Sequence, residues 1–224
     1  MLSVDTVTRV FFSGAGGVGK TAVVGPMVAK LDALNVKSRF MPSVSREFFA
    51  SQGITTEQAG LERPEKDRLD FQLALFEFYC KTVETTCQET LDDGATQVLI
   101  LDRSPFDHIA FCIYNAPNLM TYELLQKMFE RGREVMMRPY KTLNTSQNWK
   151  MVRFPPITSW LIADDKVAKD GMRYAPPGKN FIVDAIIDNS IRQGLTGVRS
   201  LAEYILRVPD LSPETRARFI LEHI

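Results

Sequence analysis

The sequence predicts an α/β fold, a three-layer doubly wound parallel sheet, from three observations. Short apolar runs alternate with helical patterns; one run feeds directly into a glycine-rich loop; another is apolar from end to end. Strands buried on both faces read as unbroken apolar runs, because crossover helices cover both sides of a parallel sheet. With 224 residues, 45% of them hydrophobic, the chain can bury one sizeable core, so 1–224 is expected to be a single domain.

Arg9-Val10-Phe11-Phe12-Ser13 reads as the first buried strand, and a helix is expected from about Gly19 to Leu34. Pro26 inside that helix removes a backbone hydrogen bond, so a kink is expected at Gly25-Pro26. Ser38 to Met41 reads as a second strand, closed by Pro42. Pro64 suits the start of a long helix to about Leu91, with Gly94 past its end. Its stripe Leu69, Leu73, Phe76, Cys80, Val83 and Cys87 recurs at steps of three and four, as a core-facing helix requires. Val98 to Leu101 is the uninterrupted apolar run of a central strand. Met151 to Phe154 and Gly197 to Ser200 are weaker strand candidates. A helix is expected over Phe181 to Gln193, ended by Gly194, and Ser212-Pro213-Glu214 looks like a capped helix start in a C-terminal helical tail of about 205–224.

Basic and acidic residues balance at 27 each, so no global field recruits nucleic acid or an anionic membrane. No run approaches the roughly 20 apolar residues of a membrane span, and no secretion signal is visible, so a soluble, cytoplasmic protein is expected. The odd number of cysteines, with no Cys-x-x-Cys pair, argues against a disulfide framework.

Gly14-Ala15-Gly16-Gly17-Val18-Gly19-Lys20-Thr21 matches GxxxxGK[ST] between a strand and a helix. The glycines let successive N–H groups turn inward as a nest for phosphate oxygens, and the following helix adds the positive end of its dipole. Lys20 is expected at the β- and γ-phosphates of a nucleoside triphosphate and Thr21 on its Mg²⁺. Asp102 closes the central strand at its carboxyl end, where open α/β sheets place ligands. It can hold Mg²⁺ or accept the proton of an attacking hydroxyl, and Arg103 beside it can neutralise a transferring phosphoryl group.

The loop, the segment Asp102-Arg103-Ser104-Pro105-Phe106-Asp107 and the later Asp170-Gly171-Met172-Arg173 together resemble the thymidylate-kinase and deoxynucleoside-kinase branch of P-loop kinases, over roughly residues 8 to 205. The small kinase-like ATPase domains common in bacteriophages are the nearest likeness. The resemblance implies ATP as donor, a pyrimidine deoxynucleoside or nucleotide as acceptor, Arg103 as an acceptor-binding arginine, and a lid over about 164–179 whose Arg173 closes on the phosphates. Arg46 matches a binding arginine after the second strand, but Ser43 stands where many relatives carry an acid, which leaves Asp102 to orient the acceptor. Gln72 on the long helix is a candidate reader of a base edge.

Two histidines form no metal cluster; His108 is expected to cap or pack, and His223 lies in the tail. Lys127, Arg131, Arg133, Arg138, Lys141, Lys150 and Arg153, interleaved with Tyr140, Trp149 and Phe154, read either as a solvated face or as a grip on a base within DNA. The second reading would make the acceptor a 5-hydroxymethyl-deoxyuridine in viral DNA, as in some phage kinases the sequence resembles. A third reading keeps the loop in a nucleotide-driven switch or binding module with no small acceptor.

Overall fold

The computed structural model describes residues 7–53, 63–138, 149–156, 177–198 and 200–224. Among them, a parallel sheet of five strands runs in the order β2-β3-β1-β4-β5: β1 (Thr8–Ser13), β2 (Ser38–Met41), β3 (Val98–Asp102), β4 (Trp149–Arg153) and β5 (Ile205–Arg207). Every residue of β1 and β3 is buried. Two strands buried on both faces require cover above and below, and two separate helical groups supply it. One group is α1 (Lys20–Ala33) packed on α8 (Pro213–Leu221). The other joins α3 (Glu65–Asp93), α4 (Pro105–Asn115), α5 (Tyr122–Met137) and α6 (Pro177–Gly194). Short helices α2 (Ser45–Ser51) and α7 (Leu201–Tyr204) complete the set.

The helix boundaries follow from local chemistry. Pro64 precedes α3, and Gly94 takes the left-handed conformation after it, at φ 63°, where a side chain would be strained. The expected stripe on α3 is buried, with Leu73 partly so, and Cys80, Cys87 and Cys112 are all buried free thiols. Helix α1 continues through Pro26. Ser212 caps α8 by accepting the Thr215 N–H at 3.3 Å. No helix of the described residues is long and apolar enough to cross a membrane.

Two sequence expectations are corrected. The fifth strand is Ile205–Arg207, not Gly197–Ser200; Gly197 lies in a turn at φ 86°. Residues 205–207 therefore belong to the sheet rather than to a helical tail. Parallel pairing of Met151 to Arg153 with Ile205 to Arg207 decides this, a tertiary contact that local pattern does not encode.

Gly194, at the end of α6, marks a tight approach. A Cβ there would lie 2.0 Å from Cε1 of Phe106, a ring buried in the core. Gly194→Ala is expected to destabilise the protein by about 1–3 kcal/mol, the usual cost of overpacking. Chemical denaturation should show the fall in midpoint.

Candidate active site

The carboxyl ends of β1, β3 and β4 lie side by side, because Phe12 pairs in register with Asp102 and Ser13 with Arg153. The glycine-rich loop leaves β1 at this edge. Gly14, Gly17 and Gly19 have φ of 149°, 73° and 81°, in the region that favours glycine. At Gly14 space is decisive as well: a Cβ would stand 2.4 Å from the Phe154 carbonyl oxygen. Gly19 is the N-cap of α1, so the loop delivers its N–H groups to the positive end of that helix. Ala15 and Val18 are buried and anchor the loop, and the Val18 carbonyl accepts from Nη1 of Arg216 on α8 at 3.3 Å. Gly16 is half-buried and Gly17 exposed.

Lys20 lies inside the loop, its ammonium donating to the carbonyls of Gly14 at 2.8 Å and Ala15 at 2.6 Å. Burial pushes its pKa down to about 7, with Arg103 adding to the fall, while Asp102 and Asp107 oppose it. This lysine is charged in the unfolded chain up to about pH 10. Its burden on the folded state is therefore full below pH 7 and is relieved as pH rises from about 7 toward the unfolded value. Bound phosphate reverses the balance, since an anion stabilises the charged lysine. Nucleotide binding is thus expected to take up protons above about pH 7 and to weaken there, by up to about tenfold per pH unit. Calorimetry in buffers of different ionisation enthalpy would measure the uptake, and Lys20→Ala should abolish it.

Asp102, at the end of β3, is buried, and its Oδ1 has no hydrogen-bond partner among the described residues. Thr21 is exposed in the first turn of α1. A carboxylate oxygen and a hydroxyl beside a phosphate nest are oxygen donors of the kind Mg²⁺ takes, so these residues fit a nucleotide-bound Mg²⁺.

Arg103 occupies a position unusual for a side-chain-bearing residue, with φ 80°. Such a conformation costs on the order of 1–2 kcal/mol and persists only where neighbours impose it. Here the Arg103 N–H donates to the Phe12 carbonyl at 2.7 Å and its carbonyl accepts from Tyr79 Oη at 2.6 Å. The guanidinium lies 4.8 Å over the Phe111 ring, donates to the Gly14 carbonyl at 3.1 Å and stands 3.6 Å from Oδ1 of Asp107. The guanidinium thus lies against the entry of the phosphate loop. Asp107 is a site residue the sequence reading missed. Burial pushes its carboxyl up, but Arg103, Lys20, the Ser104 hydroxyl and the Gly14 N–H outweigh this and hold it below the ordinary carboxylate range.

The remaining candidates are more scattered. Arg46 is exposed on α2 and Gln72 half-buried on α3; the two helices pack through Phe48 against Phe71 and Phe78. Ser43 is half-buried before α2. Arg173 and residues 164–176 of the expected lid lie outside the described residues, and 177–179 open α6. His108 is buried against Tyr79, with ring centroids 4.4 Å apart, and burial depresses its pKa to about 3, so it packs as a neutral ring.

The basic and aromatic stretch does not form an open grip among the described residues. Trp149 and Phe154 are buried in the core. Glu84 on α3 takes Arg131 through both carboxylate oxygens at 2.8 Å and Arg138 at 3.1 Å. Arg153 is buried against Asp184 and Asp188. Tyr140 and Lys141 lie outside the described residues.

No protein-family model and no curated protein matches the chain. Solved structures do. A NadR protein in complex with NR superposes with a TM-score of 0.59 at 14% identity over 98% of this chain and 52% of that one, so the chain spans about half its length. Deoxyadenosine kinase from M. mycoides with bound dATP gives 0.56 at 12% identity, covering 96% of this chain and 97% of that one. Shikimate kinase from Acinetobacter baumannii in complex with shikimate gives 0.50 at 11% identity, over 97% and 93%. Strand order, phosphate loop and these likenesses together define an α/β P-loop NTPase fold.

Proposed function

We propose that the protein transfers the γ-phosphate of ATP to a pyrimidine deoxynucleoside or nucleotide, onto a hydroxyl of the former or a phosphate oxygen of the latter, with ADP as the leaving group. The observation that carries the reading is the meeting of a complete phosphate loop, with Lys20 inside it, and a buried acid, one oxygen of which has no partner among the described residues, at the end of the adjacent strand. One half can hold a donor and the other can address an acceptor. The pyrimidine preference comes from the resemblance of the Asp102-Arg103-Ser104 segment and the loop to deoxynucleoside and thymidylate kinases.

Phosphoryl transfer asks the protein mainly for position and charge. The inward N–H groups of the loop from Ala15 to Gly19 and the start of α1 bind the donor phosphates, and Lys20 supplies positive charge to them. Asp102 orients the acceptor. Arg103, fixed by Tyr79, Phe111 and Asp107, offsets charge on the group in flight. Arg173 closes the phosphates from the lid, and Arg46 and Gln72 bind the acceptor from α2 and α3. Thr21 and Asp102 would hold Mg²⁺, which neutralises phosphate charge when bound.

Incubation with labelled ATP and a panel of nucleosides, nucleotides and 5-hydroxymethyluracil-containing DNA tests the acceptor. Label is expected in a free nucleoside or nucleotide. Label confined to DNA would replace this acceptor with a base in a polymer. Hydrolysis indifferent to every acceptor would replace the kinase with a nucleotide-driven switch.

A further inference from the structure

Asp107 has no step in the transfer scheme, yet it is a fully buried carboxylate where the two halves of the site meet. Through Oδ2 it accepts the Ser104 N–H at 3.0 Å and the Ser104 hydroxyl at 2.5 Å, while its own N–H donates to Ser104 Oγ at 3.3 Å. That reciprocal cap starts α4 and needs only one carboxylate oxygen. The other oxygen turns away from the helix. Oδ1 accepts the Gly14 N–H at 2.8 Å, a contact between residues 93 apart in sequence. The same oxygen faces Nη1 of Arg103 at 3.6 Å, and that nitrogen donates to the carbonyl of Gly14 at 3.1 Å. Gly14 is therefore gripped on both sides, its N–H by Asp107 and its carbonyl by Arg103 and Lys20.

A helix cap does not require a buried charge, and burying one costs stability unless several partners repay it. Placing a carboxylate beside a phosphate nest also opposes anion binding through its charge. Both costs are explained if the carboxylate shapes the nest. We infer that Asp107 is a positioning residue for phosphate binding: Oδ1 fixes the entry of the phosphate loop and the guanidinium of Arg103 in one register. The donor loop and the acceptor-side arginine then depend on a single carboxylate. The inference rests on the reading of the loop as a nucleotide site.

Asp107→Asn separates this role from capping. An amide has one accepting oxygen, and the cap claims it with two donors from Ser104. The NH₂ group then faces the Gly14 N–H and Arg103, donor against donor. Ser104→Ala does the opposite, weakening the cap while leaving Oδ1 on Gly14. Binding of a non-hydrolysable ATP analogue with Mg²⁺ would be measured by calorimetry for wild type and both variants, alongside thermal unfolding. Ser104→Ala is expected to lower the melting temperature and keep affinity within about twofold. Asp107→Asn is expected to bind the analogue roughly 10–100-fold more weakly while still folded, the loss of a charge-assisted hydrogen bond. Equal affinities in the two variants would reduce Asp107 to a cap and overturn the inference.

If Asp107→Asn does not fold, amide exchange in the wild-type protein decides the matter. The Gly14 N–H should exchange far more slowly than those of Gly16 and Gly17, and equal exchange overturns the inference. Failure of the wild type to bind the analogue removes the nucleotide reading and this inference with it. Binding by wild type with unchanged binding by Asp107→Asn removes the inference alone.

Discussion

Lys20→Ala is expected to lower phosphoryl transfer by at least about 10²–10³-fold, the scale seen when one preorganised group is removed from a site of charge development. The same variant should be as stable as the wild type or more so. Burial holds the Lys20 ammonium at a pKa of about 7, which means the charged form is disfavoured in the folded protein relative to water. Removing it relieves a burden on the order of a few kcal/mol near neutral pH, set against a small cavity. Its two hydrogen bonds go to the carbonyls of Gly14 and Ala15, and Gly14 O still accepts from Arg103 when the ammonium is gone. Activity and stability therefore move in opposite directions, as expected where a site stores strain for function. Steady-state kinetics and a thermal scan on one preparation would check both. A variant with full activity sinks the kinase reading, and one that loses activity only by unfolding sinks the account of Lys20.

The parts of this site that were legible in the sequence are those whose chemistry is carried by adjacent residues. A phosphate loop needs glycines at positions where φ is positive, followed by a lysine and a hydroxyl, so its spacing is fixed by backbone geometry alone. Asp102 was legible because an unbroken apolar run ends on it. Asp107 was not, although Ser104-x-x-Asp107 is a visible helix-capping pattern. The pattern accounts for one oxygen, and the other is used 93 residues away, at Gly14. The same blindness explains the basic stretch. Charges along one segment can be counted, but the carboxylates that consume them come from elsewhere: Glu84 on α3 for Arg131 and Arg138, Asp184 and Asp188 on α6 for Arg153. Strand β5 failed to show itself for a related reason. Three residues hold too little periodicity, and only the edge of β4 makes them a strand.

Arg153 turns that lesson into the second large effect. Its side chain is 1% exposed at the end of β4. Nη2 donates to Asp184 Oδ1 at 2.6 Å and to the Asp184 carbonyl at 3.0 Å, Nε to Asp188 Oδ1 at 2.9 Å, and Nη1 to the Phe154 carbonyl at 3.2 Å. Arg207 on β5 closes the network on Asp188 at 2.8 Å. Arg153→Met would leave Asp184 without its counter-charge, so a loss of about 3–5 kcal/mol is expected, the scale for breaking one side of a buried pair. Burial already pushes the Asp184 carboxyl up, with Arg153 opposing, so removing the arginine should raise it further. A carboxyl raised in the folded state binds its proton there before it does in the unfolded chain. The deficit of the variant should therefore narrow as pH falls below neutral, and adding Asp184→Asn should recover part of it at neutral pH. Denaturation midpoints across pH would show both trends. If Arg153 instead served an open surface for nucleic acid, the substitution would leave stability nearly unchanged and weaken DNA binding. Its burial on the carboxylates that tie α6 to the strand ends behind Gly14 argues for the structural role.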